Sequence, residues 1–552
     1  MRLVNSSSAR DDLHDDPKYI YSILPKQLSN RCLQIRAASS YASLLKKKTK
    51  RGTTDKTSRD QILHLDITNF LREQTKTLDH VKIPEDLIFK FLFAKKSEQV
   101  DVQEVHILAL TSEGEGLALI PRSSYYGEST SALYTVVKVP KTTVGDVVTI
   151  RLRRHHEFYA EADLTNVTGK RGKNAKRNDR LVVCQHFNEC NGCQIQMISY
   201  EDQLKFKADV IQRAYRYFHP ELKLEELHDF GFVVPSPLQY SYRTKLTPHA
   251  KVPRSLAKTD LPLAVGFDSI RKISPLVDIQ NCPIAAPSIN KTIPYLKERF
   301  QKTLEECLET GSKKKIDSNF LLRDSMQIDG ETGSHEYVCL TRRNNVITEK
   351  IGEFLFQFEA NEFFQNNRSI LPTFLEFIKF HLSQIPGGYT HLIDAYCGSG
   401  FLGISLSDTL PQDGKVFGIE ISKKSIAYAK HNAGINGLDR INKVQFVHGN
   451  SDSMFTDEQF LRSGVNSKDC VLLMNPSRKG STEEFMAQLL EFKPKAIIYI
   501  SCNVFSQARD LATFERLQRR SSVKYKVKTI TGFDFYPQTK HVETVAILEL
   551  EN

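Results

Sequence analysis

The sequence predicts an α/β protein: a doubly wound sheet fills the C-terminal part, preceded by a small OB-like β-barrel and an α+β central domain. Three observations predict it. From about residue 356, apolar runs recur that each end in a glycine or polar turn and lead into a helical pattern: THLIDAYCGSGFLGISLS, KVFGIEISKKSIAYAKHNAGINGL, VQFVHGNSDS, DCVLLMNPSRKGS and AIIYISCNVFSQARDL. Strands that alternate with helices in this way build a parallel sheet with helices on both faces. The last two runs, TITGFDFYP and HVETVAILELEN, adjoin without a helix between them, so the sheet ends in a hairpin and its strand directions are mixed. Well before these, from about Val102, the texture is short alternating strands with glycine-containing turns and little room for helix, the pattern of a small barrel.

Composition sets the outer bounds. At 552 residues the chain exceeds one hydrophobic core. Its 40% hydrophobic and 26% charged residues are ordinary for a globular protein. No apolar run reaches the length of a membrane span, which excludes an integral helical membrane protein. The formal charge of +11 is a basic excess that suits a polyanionic partner. Ten cysteines in this length are no disulfide framework, and the first residues lack the apolar core of a secretory signal, so an intracellular protein with reduced thiols is expected. Asp11, Asp12, Asp15 and Asp16 argue against a simple mitochondrial transit peptide, leaving cytoplasm or nucleus as the expected compartment and the mitochondrion open.

Four segments follow in order. Residues 1–95 read as an N-terminal extension, partly disordered, with the charge run LLKKKTKRGTTDKTSRD at 44–60; such a run is a solvated segment or an RNA-binding arm. Residues 96–168 carry the barrel strands VHILAL, LALIP, YTVVKVP and DVVTIRLRRH, with the turn TSEGEG. Residues 169–355 form the α+β central domain. It opens on GKRGKNAKRNDR, Gly169 to Arg180, with six basic residues and one acid, a connector able to track a phosphate backbone or simply to stay solvated. The amphipathic helix YEDQLKFKADVIQRAYRYF and the strand YSYRTKL follow, and 290–330 reads as a charged helical lobe rather than a site. Residues 356–552 carry the α/β alternation.

Within the central domain, CQHFNECNGCQIQ sets Cys184, Cys190 and Cys193 in a C-x5-C-x2-C spacing. Three thiols within ten residues call for a shared ligand. Zinc fits if His186 takes part, and an iron–sulfur cluster fits if Cys282 of DIQNCPI is the fourth thiolate. In the α/β domain, the turn DAYCGSG, Asp394 to Gly400, lets backbone approach a ligand, and Glu420 at the end of the next strand is placed to hold ribose hydroxyls. Together they point to adenosine binding. Cys502 stands just past the buried run AIIYI, at the carboxyl edge where open α/β sheets bind ligands. A thiol there is a small buried apolar group or a nucleophile.

The motifs FFQNN, DAYCGSGFLG, NPSRKG, SCNVFSQARDL and FYPQTKHVET, in this order, resemble those of the RNA 5-methyluridine (uracil-C5) methyltransferase family. EGEGLA and VGDVVTIRL resemble a TRAM barrel, and the cysteine spacing resembles that of members with a [4Fe-4S] cluster. The resemblance implies a Rossmann-like methyltransferase domain that uses S-adenosyl-L-methionine, with Cys502 adding to uracil C6 and Glu543 removing the C5 proton. It implies cofactor contacts at Gln365, Tyr396, Glu420 and Asn475, and Cys184, Cys190, Cys193 and Cys282 as cluster ligands. A eukaryotic-type chain of this length is most similar to the tRNA branch, acting on uridine 54 of the T loop, and a monomer with tRNA held by barrel and connector is expected. A ribosomal RNA uridine enzyme and a catalytically silent tRNA-binding or folding protein are the alternatives. One departure stands out: the family pattern DPPR is here Asn475, Pro476, Ser477 and Arg478, so an amide replaces a carboxylate. Ser477 also counts against a cytosine-C5 enzyme, which needs cysteine after the proline.

Overall fold

The structure, a computed structural model, describes residues 57–77, 100–121, 134–156, 159–172, 175–227, 229–253, 261–270, 275–311 and 316–551. Of the expected N-terminal extension, helix α1 (Arg59–Thr77) is described; the basic run lies outside the described residues except for 57–60. The barrel comprises β1 (Asp101–His106), β2 (Ala109–Leu110), β3 (Gly116–Pro121), β4 (Tyr134–Val139), β5 (Asp146–His155) and β6 (Ala160–Arg171), in the order β1-β5-β6-β4-β3-β2. Alternation in these strands turns Val102, Ile120, Val137, Val148 and Ile150 into one core. Leu63, Ile67, Phe70 and Leu71 recur at helical spacing along α1 and pack on Leu117, Val136 and Tyr159 outside that core. The buried Asp66 carboxylate then ties three elements together: it accepts from Ser112 N and Oγ at 2.7 and 2.9 Å and from the Tyr217 hydroxyl at 3.0 Å.

The middle of the chain holds α2 (Tyr200–Phe218), β7 (Val233–Val234), β8 (Lys245–Leu246), β9 (His249–Ala250), β10 (Val265–Asp268), β11 (Leu276–Asp278), α3 (Pro287–Thr310), β12 (Leu322–Ile328), β13 (His335–Leu340), β14 (Val346–Ile351) and β15 (Phe354–Glu359). Small antiparallel sheets β11-β10-β9, β13-β12-β8 and β14-β15 organise it. α2 begins at Ser199, whose side chain accepts from Asp202 N, and its buried face of Phe206, Val210, Ile211 and Ala214 joins the core of the C-terminal sheet.

That sheet has eight strands. After α4 (Leu371–Ser383) come β16 (His391–Ala395), α5 (Phe401–Ser405), β17 (Lys415–Glu420), α6 (Lys423–Ile435), β18 (Val444–His448), α7 (Glu458–Arg462), β19 (Cys470–Met474), α8 (Glu483–Phe492), β20 (Ala496–Ser501), α9 (Val504–Gln518), β21 (Tyr525–Phe533) and β22 (Glu543–Leu550). The order is β18-β17-β16-β19-β20-β22-β21-β7. β16 to β20 are parallel, and β22 inserts antiparallel between β20 and β21, so the sheet is mixed and closed by a hairpin as the sequence predicts. β19 and β20 are buried at every residue, which is why they read as continuous apolar runs. The eighth strand is β7, contributed from the central segment and parallel to β21 through Gly532↔Val233 and Phe533↔Val234.

Candidate active site

Register places the candidate residues along one edge. Ala395 pairs with Ile419 on one side and Met474 on the other, and Met474 pairs with Tyr499. Tyr396, Asn475 and Glu420 therefore emerge side by side at the carboxyl ends of β16, β19 and β17. Ser501 pairs with Thr544, so Cys502 and Glu543, the next residue on each antiparallel strand, are neighbours.

Cys502 is half-buried between β20 and α9. Asn503 caps α9 by accepting from Phe505 N at 3.3 Å, and its Nδ2 donates to Arg478 O at 2.9 Å, where the Ser506 hydroxyl also donates at 2.8 Å. The NPSR loop is thus fastened to the start of the helix that follows the thiol. Burial and the nearby Glu543 carboxylate push the Cys502 thiol up to about 11, against a lowering influence of Arg478, which hydrogen-bonds it. Glu543 is buried, and burial pushes its carboxyl up to about 7, with Arg478 again opposing. The two groups lie at the same edge, and each is held toward its neutral form.

The glycine turn is shaped for a ligand. Tyr396 adopts φ +68°, a left-handed conformation uncommon for a residue with a side chain. Its ring meets Phe485 edge-on at 5.9 Å and its hydroxyl reaches Ser481 Oγ at 3.3 Å. Gly398, at φ +55°, faces open space: among the described residues no atom lies within 4 Å of the position a Cβ would take. The Glu420 carboxylate accepts from Gly398 N at 3.2 Å and from Ser422 N at 2.8 Å, which fixes it at the rim of that space. Gln365 contributes a buried Oε1 with no hydrogen-bond partner among the described residues, an acceptor open to a ligand's donor. These features fit a nucleoside-type cofactor at Gln365, Tyr396 and Glu420. Asn475 is half-buried at the adjoining strand end.

Sequence reasoning assigned no role to two buried charged residues. Asp394 is fully buried, accepts from Gly403 N at 2.9 Å, and burial lifts its carboxyl to about 7. Arg323, in the stretch read as a lobe, is also fully buried and reaches the FFQNN segment, so the expectation that 290–330 stands apart from the site is corrected. Its signal in the sequence was only an arginine directly after the apolar run FLL, at the start of a strand of mixed polarity.

The four cysteines come together from two segments. Cys193 is pushed up to about 11 by burial, and Cys184, Cys190 and Cys282 are raised by burial as well; Cys282 is raised further by the other three thiols. Lys141 of the barrel donates to the carbonyls of Cys190, at 2.8 Å, and Cys193. Among the described residues, no group of three or more His, Cys, Asp or Glu is arranged to hold a metal ion. In the basic connector, Arg177 is buried and donates to Lys141 O and Asp146 at 2.9 and 3.2 Å, and Lys176 pairs with Asp202 at 2.7 Å. Arg177 is thus engaged within the protein, whereas Lys176, although paired, stays exposed to solvent. Among the described residues no helix is long and apolar enough to cross a membrane.

A mixed sheet of this order, with a glycine turn after β16 and an acid at the end of β17, defines an α/β methyltransferase fold carrying an N-terminal barrel. Residues 295–551 match the family model of tRNA (Uracil-5-)-methyltransferase, and 96–165 match the TRAM domain. The chain is 34% identical over 470 residues to the tRNA (uracil(54)-C(5))-methyltransferase of Schizosaccharomyces pombe, covering 84% of this chain and 81% of that protein. It is 32% identical over 540 residues to the protein of the same name from Saccharomyces cerevisiae, covering 89% and 78%. Among solved structures, it is similar to Pyrococcus abyssi tRNA (uracil-54, C5)-methyltransferase in complex with S-adenosyl-L-homocysteine, with TM-score 0.53, 20% identity, and coverage of 81% of this chain and 100% of that one. The chain belongs to the tRNA (uracil-5-)-methyltransferase family.

Proposed function

We propose that this protein methylates C5 of uridine in tRNA, at position 54 of the T loop, with S-adenosyl-L-methionine as methyl donor. The observation that carries the mechanism is the juxtaposition of Cys502 and Glu543, each one residue from the Ser501↔Thr544 pair, at the sheet edge that also holds the glycine turn. Both yeast relatives bear names for this reaction, and they support the choice of RNA and position.

When bound, the cofactor supplies an electrophilic methyl group. Gln365 Oε1 would accept a hydrogen bond from it, Glu420 would hold its ribose hydroxyls, and Tyr396 and Asn475 would border it. Uracil C5 is a poor nucleophile, so Cys502 Sγ first adds to C6, which makes C5 an enolate carbon able to take the methyl group. The resting thiol is neutral; the Arg478 side chain that hydrogen-bonds it stabilises the thiolate. Glu543 then accepts the C5 proton and the thiolate leaves. The target base is extruded from its stack to reach the edge. For the four cysteines we propose a [4Fe-4S] cluster, which the thiolates of Cys184, Cys190, Cys193 and Cys282 would hold.

Tritiated methyl transfer to tRNA transcripts by wild type and Cys502→Ala tests the reading. Transfer to uridine 54 that disappears in the variant supports it. Tight tRNA binding without transfer by wild type overturns it in favour of a silent binding protein.

A further inference from the structure

One face of α9 grips the loop that follows β19. Asn503, its N-cap, is followed by Ser506 three residues on and by Arg509 and Asp510 six and seven on, a spacing that brings them to one side of the helix. Asn503 Nδ2 and the Ser506 hydroxyl both donate to Arg478 O, and Arg509 Nη2 donates to Lys479 O at 2.5 Å. Asp510 takes the far end of the same loop, where its Oδ2 accepts from Ser481 N at 2.7 Å. Each oxygen of this buried carboxylate accepts twice: Oδ2 also from the Tyr499 hydroxyl of β20 at 2.6 Å, and Oδ1 from Arg509 Nε and Nη2 at 3.0 and 2.7 Å. Gly480 passes through the grip at φ +77°, and a Cβ there would overlap Asp510 Oδ2, so only glycine lets the loop come this close.

The end that Asp510 holds is the end that meets the glycine turn. Ser481 directly precedes Thr482, the N-cap of α8, whose Oγ1 accepts from Phe485 N at 3.1 Å. Ser481 Oγ lies 3.3 Å from the Tyr396 hydroxyl, and the Phe485 ring meets the Tyr396 ring edge-on. These two contacts of the Tyr396 side chain come from the stretch whose first amide Asp510 fixes. The other end of the loop, at Arg478, is held independently by Asn503 and Ser506, which follow Cys502 in the chain.

We propose that Asp510 is a positioning residue for the methyl donor, acting through Ser481 and the start of α8 to hold Tyr396 in the wall of the nucleoside site. The inference rests on the cofactor site proposed above and adds to it a residue on the neighbouring helix. An aromatic side chain already held from two directions binds its ligand with less ordering cost than one that must find its place when the ligand arrives. Because the Arg478 end has its own ties, loosening the Ser481 end falls on affinity for the donor rather than on the chemical step.

The experiment combines calorimetric binding of S-adenosyl-L-homocysteine with steady-state methyl transfer to a tRNA transcript, for wild type, Asp510→Ala, Asp510→Asn, Tyr499→Phe and Gly480→Ala. Asp510→Ala should weaken S-adenosyl-L-homocysteine by about tenfold and raise KM for S-adenosyl-L-methionine alike, with kcat and KM for tRNA within about threefold of wild type. Asp510→Asn should recover to within about threefold, since one amide oxygen accepts from Ser481 N and the Tyr499 hydroxyl together and only the pair with Arg509 is lost. Tyr499→Phe cuts the tie to β20 but leaves Ser481 held, so its affinity should stay within about twofold. Should Asp510→Ala not fold, Gly480→Ala, which keeps every polar partner but pushes the loop off Asp510, decides by the same tenfold loss. Unchanged affinity in Asp510→Ala or Gly480→Ala, no recovery in Asp510→Asn, an equal loss in Tyr499→Phe, or a fall in kcat alone overturns the inference. Wild type that binds S-adenosyl-L-homocysteine yet transfers no methyl to uridine 54 overturns the proposed activity alone, and the binding results then decide the inference. Wild type that binds none overturns both.

Discussion

Replacing Glu543 by glutamine should stabilise the fold while it disables the reaction. Glu543 is buried, and burial lifts its carboxyl from an ordinary 4.5 to about 7. A carboxyl whose pKa is raised by folding binds its proton more tightly in the folded chain than in the unfolded one. Stability is therefore fullest below pH 4.5, declines as pH rises toward about 7, and stays reduced above that. The rise from 4.5 to about 7 corresponds to a penalty of about 3 kcal/mol above neutrality. Glutamine does not ionise and escapes it. Urea unfolding at about pH 8 should show Glu543→Gln more stable than wild type by up to about 3 kcal/mol, a gap that closes near pH 4.5. Release of tritium from C5 of labelled uridine in tRNA, read on the same preparations, should fall by about 10² to 10⁴ for loss of a general base. A denaturation-resistant protein–RNA complex should accumulate, since the methylated adduct keeps its C5 proton. Equal unfolding midpoints at pH 8 would refute the buried ionised carboxylate, and tritium release within about tenfold of wild type would refute its role as base.

The same carboxyl predicts an acid limb: with C5 deprotonation limiting, kcat should fall about tenfold per pH unit below about 7, and a flat profile between pH 5.5 and 7.5 contradicts it. Asn475→Asp, which restores the family's carboxylate at the end of β19, should raise turnover; no gain in kcat ends that idea. Gln365→Ala removes the partnerless buried acceptor and should raise KM for S-adenosyl-L-methionine by about tenfold, with KM for tRNA little changed, as measured by initial rates. Cys193→Ser should lower iron content and visible absorbance of anaerobically prepared protein; iron-free wild type would leave the four cysteines as plain packing groups.

What could be read from the sequence was what is written locally. Strands buried on both faces appear as apolar runs, so Glu420 and Cys502 could be placed at strand ends in advance, whereas Tyr396 and Asn475 were expected only from the resemblance of their motifs. Burial of charge cannot be read in this way, because it depends on partners far along the chain. Arg177, in a connector that reads as solvated, is buried against Asp146. Two residues such as β7 carry no periodicity, yet they complete the sheet.

The segment leading into Glu543 shows why the central unit matters to the chemistry. Gln194 N and Ile195 N donate to Gln538 O at 3.1 and 3.2 Å, Gln203 and Gln538 exchange hydrogen bonds at 2.9 and 3.0 Å, and the Tyr242 hydroxyl donates to Pro537 O at 2.9 Å. Lys207 and Asp534 form a fully buried ion pair in the same place. Every one of these contacts joins positions about 300 residues apart, and together they fix the loop between β21 and β22 on which Tyr536 sits. A buried ion pair contributes little net stability but is costly to break by halves. Its place here braces the loop that leads into β22, so the Glu543 that sheet register sets beside Cys502 is held from the central segment as well.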